Sequence, residues 1–165
     1  MLNKIILGFG SNVGNRKLNI INSLKILSNS DDFLFIAVSK LYKTEPWGYK
    51  SQRDFLNCAA VFLYRNKPRK LLNTLKKTEK ALGRQHNKKW QPREIDVDIL
   101  FFGNIIINYN NLKIPHPFIH VRNFVLKPLM DLMPDYSHPL LNKKISTLYR
   151  NSTDRSKCYV YQNSI

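Results

Sequence analysis

Apolar positions along this chain change their spacing several times, and each change marks an element. Ile5, Ile6, Leu7 and Phe9 form a short apolar run that breaks at Gly8 and at Gly10-Ser11-Asn12, which reads as a central strand and a tight turn. From Asn15 the period lengthens. Leu18, Ile21, Leu24 and Ile26 or Leu27 recur at helical spacing and predict a helix over residues 15–28 with one face inward. Residues 33–42 and 54–64, rich in aromatic and branched side chains, predict two strands. Between them lies the aromatic loop Thr44-Glu45-Pro46-Trp47-Gly48-Tyr49. Pro68 opens a second helix with Leu71, Leu72, Leu75 and Leu82 as its stripe, and Gly83 closes it.

A polar segment over residues 84–92 leads into a strand from Ile95 to Phe101. The order strand, helix, strand, strand, helix, strand predicts an α+β fold, a ferredoxin-like βαββαβ core with both helices on one face of the sheet. Residues 105–107 and 112–114 flank the turn-like Asn108-Tyr109-Asn110-Asn111 and predict an added hairpin. C-terminal helices follow, one of them running through Phe124, Val125 and Leu129 and ending before Pro134. The polar tail from about residue 151 is expected to be loosely held. A length of 165 residues, with no internal repeat or linker, suits one domain over residues 1–165 whose core needs no disulfide or structural metal.

The last core strand raises the question of chemistry. In WQPREIDVDIL, residues 90–100, side-chain alternation puts Asp96 and Asp98 on one face and Ile95, Val97 and Ile99 on the other. Carboxylates are poor strand formers and are rarely buried without partners, so a cationic group is expected above them. Three readings are open: a solvated edge paired with local lysines, a calcium site, or a magnesium site completed by a phosphate-bearing substrate. No loop of oxygen ligands surrounds the pair, whereas Mg²⁺ needs only one or two carboxylates when phosphates and waters supply the rest. Arg84, Lys88, Lys89 and Arg93 crowd the preceding segment. Cations for phosphate beside carboxylates for metal are what phosphoryl transfer asks of a protein, and they favour the magnesium reading.

Charge and composition add limits. A net charge of +16 favours anionic partners, although the chain's abundance of Lys, Asn and Ile makes the location of that charge more telling than its total. Cys58 and Cys158 match no zinc or redox spacing and read as independent thiols of a reducing compartment. No secretory leader and no apolar stretch of about 18 residues is present, so a cytoplasmic protein without a membrane partner is expected. Gly8-Phe9-Gly10-Ser11-Asn12-Val13-Gly14 lacks the lysine and the spacing of a P-loop.

Gly10-Ser11-Asn12, Asn57 in Phe55-Leu56-Asn57, Glu79, Arg84, the run from Trp90 to Leu100, and Pro115-His116 followed by Arg122 and Phe124 carry a resemblance. In order and spacing they resemble the 6-hydroxymethyl-7,8-dihydropterin pyrophosphokinases of folate synthesis, over residues 4–135. The resemblance implies transfer of the β,γ-diphosphate of ATP to the hydroxymethyl oxygen of the pterin, with release of AMP. It implies two Mg²⁺ on Asp96 and Asp98, with Arg84 and Arg93 joining these aspartates as catalytic residues. It implies a pterin stacked between Phe55 and Phe124, with its edge read by Asn57, by the loop from Thr44 to Trp47, and with Asp96 at hand. Glu79, Arg84, Lys88, Trp90, Arg93, Ile99, His116 and Arg122 match positions near ATP.

Read alone, Glu79 is a surface residue, Phe55 and Phe124 are core, His116 is part of a rigid turn and Arg122 faces solvent. This chain departs from the family's pattern at Gln91, where a glycine is usual, and at Glu45 and Trp47, where smaller or aliphatic residues are frequent. Trp47 is placed to extend the wall of the pterin pocket. The segment over residues 84–92, with little to bury before Trp90, is expected to be mobile without nucleotide and to close over ATP. A monomer without nucleic-acid partners is expected. The competing class is a basic ferredoxin-like RNA-binding module, which stacks bases on sheet aromatics. Two like-facing carboxylates that repel phosphate, and the absence of the corresponding aromatic pattern, weigh against it.

Overall fold

Apolar on both faces, the strand β1 (Asn3–Ser11) has Ile5, Ile6 and Leu7 fully buried, and this places it inside the sheet. The computed structural model describes residues 2–47, 51–84 and 91–164. After β1 come α1 (Arg16–Ser28), β2 (Phe33–Val38), β3 (Leu41–Thr44), β4 (Phe55–Tyr64), α2 (Pro68–Ala81) and β5 (Asp96–Phe102). Then follow β6 (Ile107–Tyr109), β7 (Leu112–Ile114), a single 3₁₀ turn (Ile119–Val121), α3 (Asn123–Leu132), α4 (Ile145–Arg150) and β8 (Cys158–Gln162). The main sheet runs β5-β1-β4-β3-β8, with β2 also on β4, and its pairings are antiparallel. The ferredoxin-like core and the added hairpin, β6 with β7, are those the residue pattern predicts.

Two apolar layers hold the sheet. On one face Ile20, Leu24 and Leu27 of α1 and Leu71 and Leu75 of α2 pack on Ile5, Leu7, Phe62, Val97 and Ile99. On the other, Val125, Leu126 and Leu129 of α3 pack on Ile6, Ala59, Val61, Leu100 and Phe101. That second layer covers part of the face on which an RNA-reading sheet would stack bases. Asn15 caps α1 by accepting the Leu18 N–H at 3.1 Å, and Gly83 ends the α2 segment with φ +92°. Among the described residues no helix is long and apolar enough to cross a membrane.

Four features differ from the pattern's expectations. The first glycines do not make a turn: β1 continues through Gly8 and Gly10 to Ser11, because strands on both sides supply partners for their backbone groups. Residues 33–42 form two strands, since Ser39 interrupts the run and spends both its backbone N–H (to Ala59 O, 2.9 Å) and its hydroxyl (from Ala59 N–H, 3.0 Å) on β4. In β5, Leu100 is an extra residue: Phe101 pairs with Ile6 and Ile99 with Leu7. This bulge lets Leu100 and Phe101 both enter the α3 layer.

The tail is the fourth. Instead of hanging loosely, residues 158–162 extend the edge of the sheet by pairing with β3. The exposed backbone ladder of β3 and the β-forming Cys-Tyr-Val-Tyr run outweigh the polar residues before them. Upstream, Asp154 Oδ2 accepts the Asn123 N–H and Asn123 Nδ2 donates to Asp154 O, both at 2.7 Å. Arg122, the residue before α3, gives no side-chain cap, so the tail supplies an acceptor for the start of this helix. Farther along α3, Asp131 accepts from the Tyr42 hydroxyl at 2.9 Å and from the Lys40 N–H at 3.1 Å, fastening the helix to β3.

Replacing Asp154 with Ala leaves the Asn123 N–H without its acceptor. Urea unfolding should show a loss of about 1 kcal/mol, with faster amide exchange at residue 123. An unchanged midpoint together with unchanged exchange would mean that the tail does not support the helix.

Candidate active site

Because β1 runs straight through its glycines, Gly8 and Gly10 point the same way from the sheet, and neighbouring strands align with them. Gly10 is opposite Asn57 of β4 on one side and Asp96 of β5 on the other; Gly8 is opposite Ala59 and Asp98. Two rows of the sheet thus read amide–glycine–carboxylate and alanine–glycine–carboxylate. A Cβ on Gly10 would sit 2.7 Å from Asn57 Oδ1, and one on Gly8 would touch Leu100 at 3.3 Å. The glycines therefore keep a trough open between Asn57 and the aspartates. It is the floor of a cleft whose walls include Phe55, Trp47, Arg93, Arg122 and Phe124.

The expected cations are found above the carboxylates. Arg84 pairs with Asp96 Oδ1 and, at 2.6 Å, with Glu79 Oε1, while Arg93 reaches Asp96 Oδ2 at 3.2 Å. Burial alone would raise the Asp96 pKa, but Arg93 and Arg84 outweigh it and hold the carboxyl below its ordinary range. Among the described residues Asp98 forms no such close arginine pair. Burial, and then the charge of Asp96, push its pKa up to about 7.

Glu79, which reads as a surface residue in the sequence, is 2% exposed. Its Oε1 accepts the Val97 N–H at 2.8 Å and its Oε2 pairs with Lys76 at 2.9 Å. Burial raises its pKa against the pull of Lys76. Glu79 is thus a strut between α2, β5 and Arg84, and it does not line the cleft.

Two carboxylates on one face, one of them uncompensated, suit a divalent cation. Among the described residues no group of three or more His, Cys, Asp or Glu forms a full metal cage. The donor set therefore fits an ion that takes its remaining ligands from phosphate and water, as magnesium does.

Of the other candidates, Thr44, Trp47, Phe55, Asn57, Arg122 and Phe124 line the cleft, and His116 lies outside its lining. Asn57 Nδ2 donates to the Thr44 hydroxyl at 2.6 Å, so the amide is held by the strand next to it. Phe55 and Phe124 are half-buried in the cleft wall, with guanidinium carbons 5.6 Å from each ring centre, Arg93 at Phe55 and Arg122 at Phe124. Arg122 is 9% exposed, far from the solvent-facing arginine that its sequence position alone suggests. His116 lies at the start of the turn before Arg122, its Nδ1 accepting the Phe118 N–H at 3.2 Å. Burial, and then Arg122, hold its pKa down at about 4, so the imidazole is neutral at pH 7.

Ile99 does not join the cleft: its side chain faces the α1 and α2 layer, opposite Asp98, as strand alternation requires. Lys88 and Trp90, and with them most of the segment expected to close over ATP, lie outside the described residues.

Sequence reasoning missed Asn12 and Gln52. The Asn12 side chain accepts the Arg93 N–H at 2.8 Å and donates to Gln52 Oε1 at 2.9 Å, while its own N–H donates to Arg93 O at 3.1 Å. Asn12 therefore pins the residue that carries the Arg93 guanidinium to the end of β1. The signal was available in Gly10-Ser11-Asn12, where an amide directly follows the glycine floor.

Comparison with known proteins agrees with this geometry. Residues 6–134 match the model of the 7,8-dihydro-6-hydroxymethylpterin-pyrophosphokinase (HPPK) family. The chain is 37% identical to a 2-amino-4-hydroxy-6-hydroxymethyldihydropteridine pyrophosphokinase of Aquifex aeolicus, over 94% of this chain and 96% of that protein. It is 40% identical to the folic acid synthesis protein FOL1 of Dictyostelium discoideum, over 85% of this chain but only 21% of that longer protein. A crystal structure of Plasmodium falciparum HPPK-DHPS shares the fold, with a TM-score of 0.73 at 18% identity, over 91% of this chain and 45% of that one. A family match that takes in the glycine floor, both aspartates and Phe124, together with a relative aligned nearly end to end, shows that this chain belongs to the 7,8-dihydro-6-hydroxymethylpterin-pyrophosphokinase family.

Proposed function

We propose that this chain transfers the β,γ-diphosphate of ATP to the hydroxymethyl oxygen of 6-hydroxymethyl-7,8-dihydropterin and releases AMP. The observation that carries the reading is the shared floor: Asn57, Gly10 and Asp96 lie in one row across three strands. A flat heterocycle can rest on glycine between Phe55 and Phe124, its polar edge toward Asn57 and Thr44 and its hydroxymethyl arm toward the aspartates. Two ring faces give stacking, and the buried amide rejects rings that leave it unpaired. Trp47 extends the wall of this pterin end.

In the reaction the hydroxymethyl oxygen attacks the β-phosphorus. The bond from that phosphorus to the α,β-bridging oxygen breaks, AMP departs, and the hydroxyl proton is lost from the pterin. Asp96 and Asp98 would hold two magnesium ions, which when bound neutralise phosphate charge. Arg84 and Arg93 oppose the charge spread over the transferred group. Arg122, the neutral imidazole of His116, Lys88 and Trp90 belong to the nucleotide end. Glu79 acts indirectly, by fixing Arg84. The chain is taken to act as one domain and as a monomer in the cytoplasm, with no nucleic-acid or membrane partner.

The direct test is AMP release from ATP and the hydroxymethyl pterin in the presence of Mg²⁺, read beside binding of a labelled RNA pool. Pterin-dependent AMP formation is expected; RNA binding without it would overturn the assignment.

Asp98→Asn keeps the shape and removes one charge. Turnover in saturating Mg²⁺ should fall by orders of magnitude. The ligand-free stability should move the other way. Because the Asp98 pKa is raised from its ordinary 3.8 to about 7, ionising it in the folded chain opposes folding as pH rises through that window. The variant lacks this opposition, so its unfolding midpoint relative to the parent should climb between those pH values. A parallel pair of pH profiles, or unchanged turnover, would contradict the assignment.

Phe124→Ala should weaken pterin binding by roughly 1–3 kcal/mol and leave nucleotide affinity nearly intact. Calorimetric titration of each ligand checks this. Equal losses for both would show that Phe124 is core rather than a clamp.

A further inference from the structure

The Arg122 guanidinium stands in a corner of aromatic rings. Its carbon lies 4.3 Å from the centre of Trp47 and 4.6 Å from that of Phe118, and the two ring centres are 6.2 Å apart. These distances form nearly a right angle at the cation, so the rings abut it from two sides. The two rings come from different segments of the chain: Trp47 lines the cleft, and Phe118 lies behind its lining. Phe118 lies beside His116, with ring centres 5.9 Å apart and its N–H on Nδ1. Trp47 comes from the loop after β3, whose preceding residues carry Asn57's partner Thr44.

That loop is anchored up to its tryptophan. Glu45 donates its N–H to Lys157 O and accepts the Lys157 N–H on Oε2, each at 3.2 Å. Glu45 and Trp47 are two of the large residues in this loop. One ties the loop to the tail, and the other reaches Arg122.

We propose that Trp47 is a positioning residue for the nucleotide: from a loop otherwise devoted to the pterin, its ring stacks with Phe118 on Arg122 and fixes that guanidinium for the phosphates of ATP. The inference rests on the reading of Arg122 as a nucleotide-facing cation and deepens it. A guanidinium binds phosphate through a planar fork of N–H donors, so its orientation decides how many of those donors can act together. A long side chain free to rotate would have to be ordered when ATP arrives. Rings that hold it beforehand remove part of that cost and keep water from one side. Phe124, with its centre 5.6 Å from the cation, gives a weaker hold and is available to the pterin.

The test is calorimetry on the full chain with Mg²⁺ and a non-transferable ATP analogue in the absence of pterin, and with pterin in the absence of nucleotide. Trp47→Leu should lose roughly 3- to 30-fold in affinity for the analogue, the range expected for a partly desolvated cation–ring contact. Trp47→Phe, which keeps a ring face, should recover most of that loss. Pterin affinity, which also draws on the wall that Trp47 extends, should fall in Trp47→Leu by less than the analogue affinity does. If Trp47 were only a wall of the pterin pocket, pterin affinity would fall and the analogue would bind as before, which overturns the proposal. Equal losses for the two ligands in both variants would also overturn it, as the mark of a cleft that has lost its shape. The parent protein separates the two levels of inference. Binding of both ligands by the parent with an unaltered analogue affinity in Trp47→Leu rejects the positioning role alone. A parent that binds neither ligand rejects the functional reading, and the positioning role with it.

Discussion

Two carboxylates side by side on one face of a buried strand are the constraint from which most of this molecule follows. Their mutual repulsion and loss of hydration must be opposed, and the chain does so unevenly: Asp96 takes both Arg84 and Arg93, while Asp98 is left with a pKa near 7. That arrangement in turn needs Arg84 held still. The need is met by burying Glu79 against the Val97 N–H, which commits α2 to lie against β5. On the open side the same carboxylates need room, and β1 supplies it with glycines in register with them. A buried acid on a helix, a glycine-bearing central strand and an arginine-rich approach to β5 are three responses to one electrostatic problem.

The scaffold is built so that this problem can be solved without moving parts near the floor. Both faces of the sheet are packed, and α3, which carries Phe124 and begins just after Arg122, is fastened at its start by Asp154 and farther along by Tyr42 and Lys40 through Asp131. These ties come from the tail and from β3, far from the aspartates in the chain. Phe55 and Phe124 are therefore presented from packed elements, while Trp47, Arg93 and Arg122 stand in the segments between elements.

Elements whose signal is a local period were legible in the residues alone. The stripe of α2, the alternation from Ile95 to Ile99 and the proline that opens α2 each rest on neighbours in sequence, and the structure has them where the pattern puts them, whereas α1 forms where predicted but turns Ile20, Leu24 and Leu27 inward and leaves Leu18 exposed. Features that depend on what lies across the sheet were not. Gly8 and Gly10 look like a turn until strands are known to flank them on both sides. Ser39 ends a strand only because Ala59 offers it partners. The tail is too polar to suggest a strand until β3 presents an unpaired edge. In the site, the aspartates declared themselves by being out of place in an apolar run, whereas Glu79 and Arg122 were hidden, since an isolated charge on a helix or at its entry is ordinarily solvated. Their burial is a property of the pairings and ring contacts made at a distance, and only the family's pattern of residues pointed to them from the sequence.

The extra residue at Leu100 has a consequence for how this strand can change. Upstream of it, even-numbered positions face the cleft; downstream, the phase is reset, so that Phe101 enters the layer beside Leu100 and Phe102 the layer beside Ile99. The strand is thus two half-strands of opposite parity joined at one residue, the half that bears the aspartates and the half that bears Phe101 and Phe102. Deletion of Leu100 would remove the bulge and restore plain alternation: both aspartates would keep the cleft face, Phe101 the α3 layer and Phe102 the layer of Ile99, with only the contribution of Leu100 to the α3 layer lost. Loss of Val97 instead would put the two aspartates on opposite faces, so the joint is the place where this strand can shorten by one residue without disturbing its carboxylates.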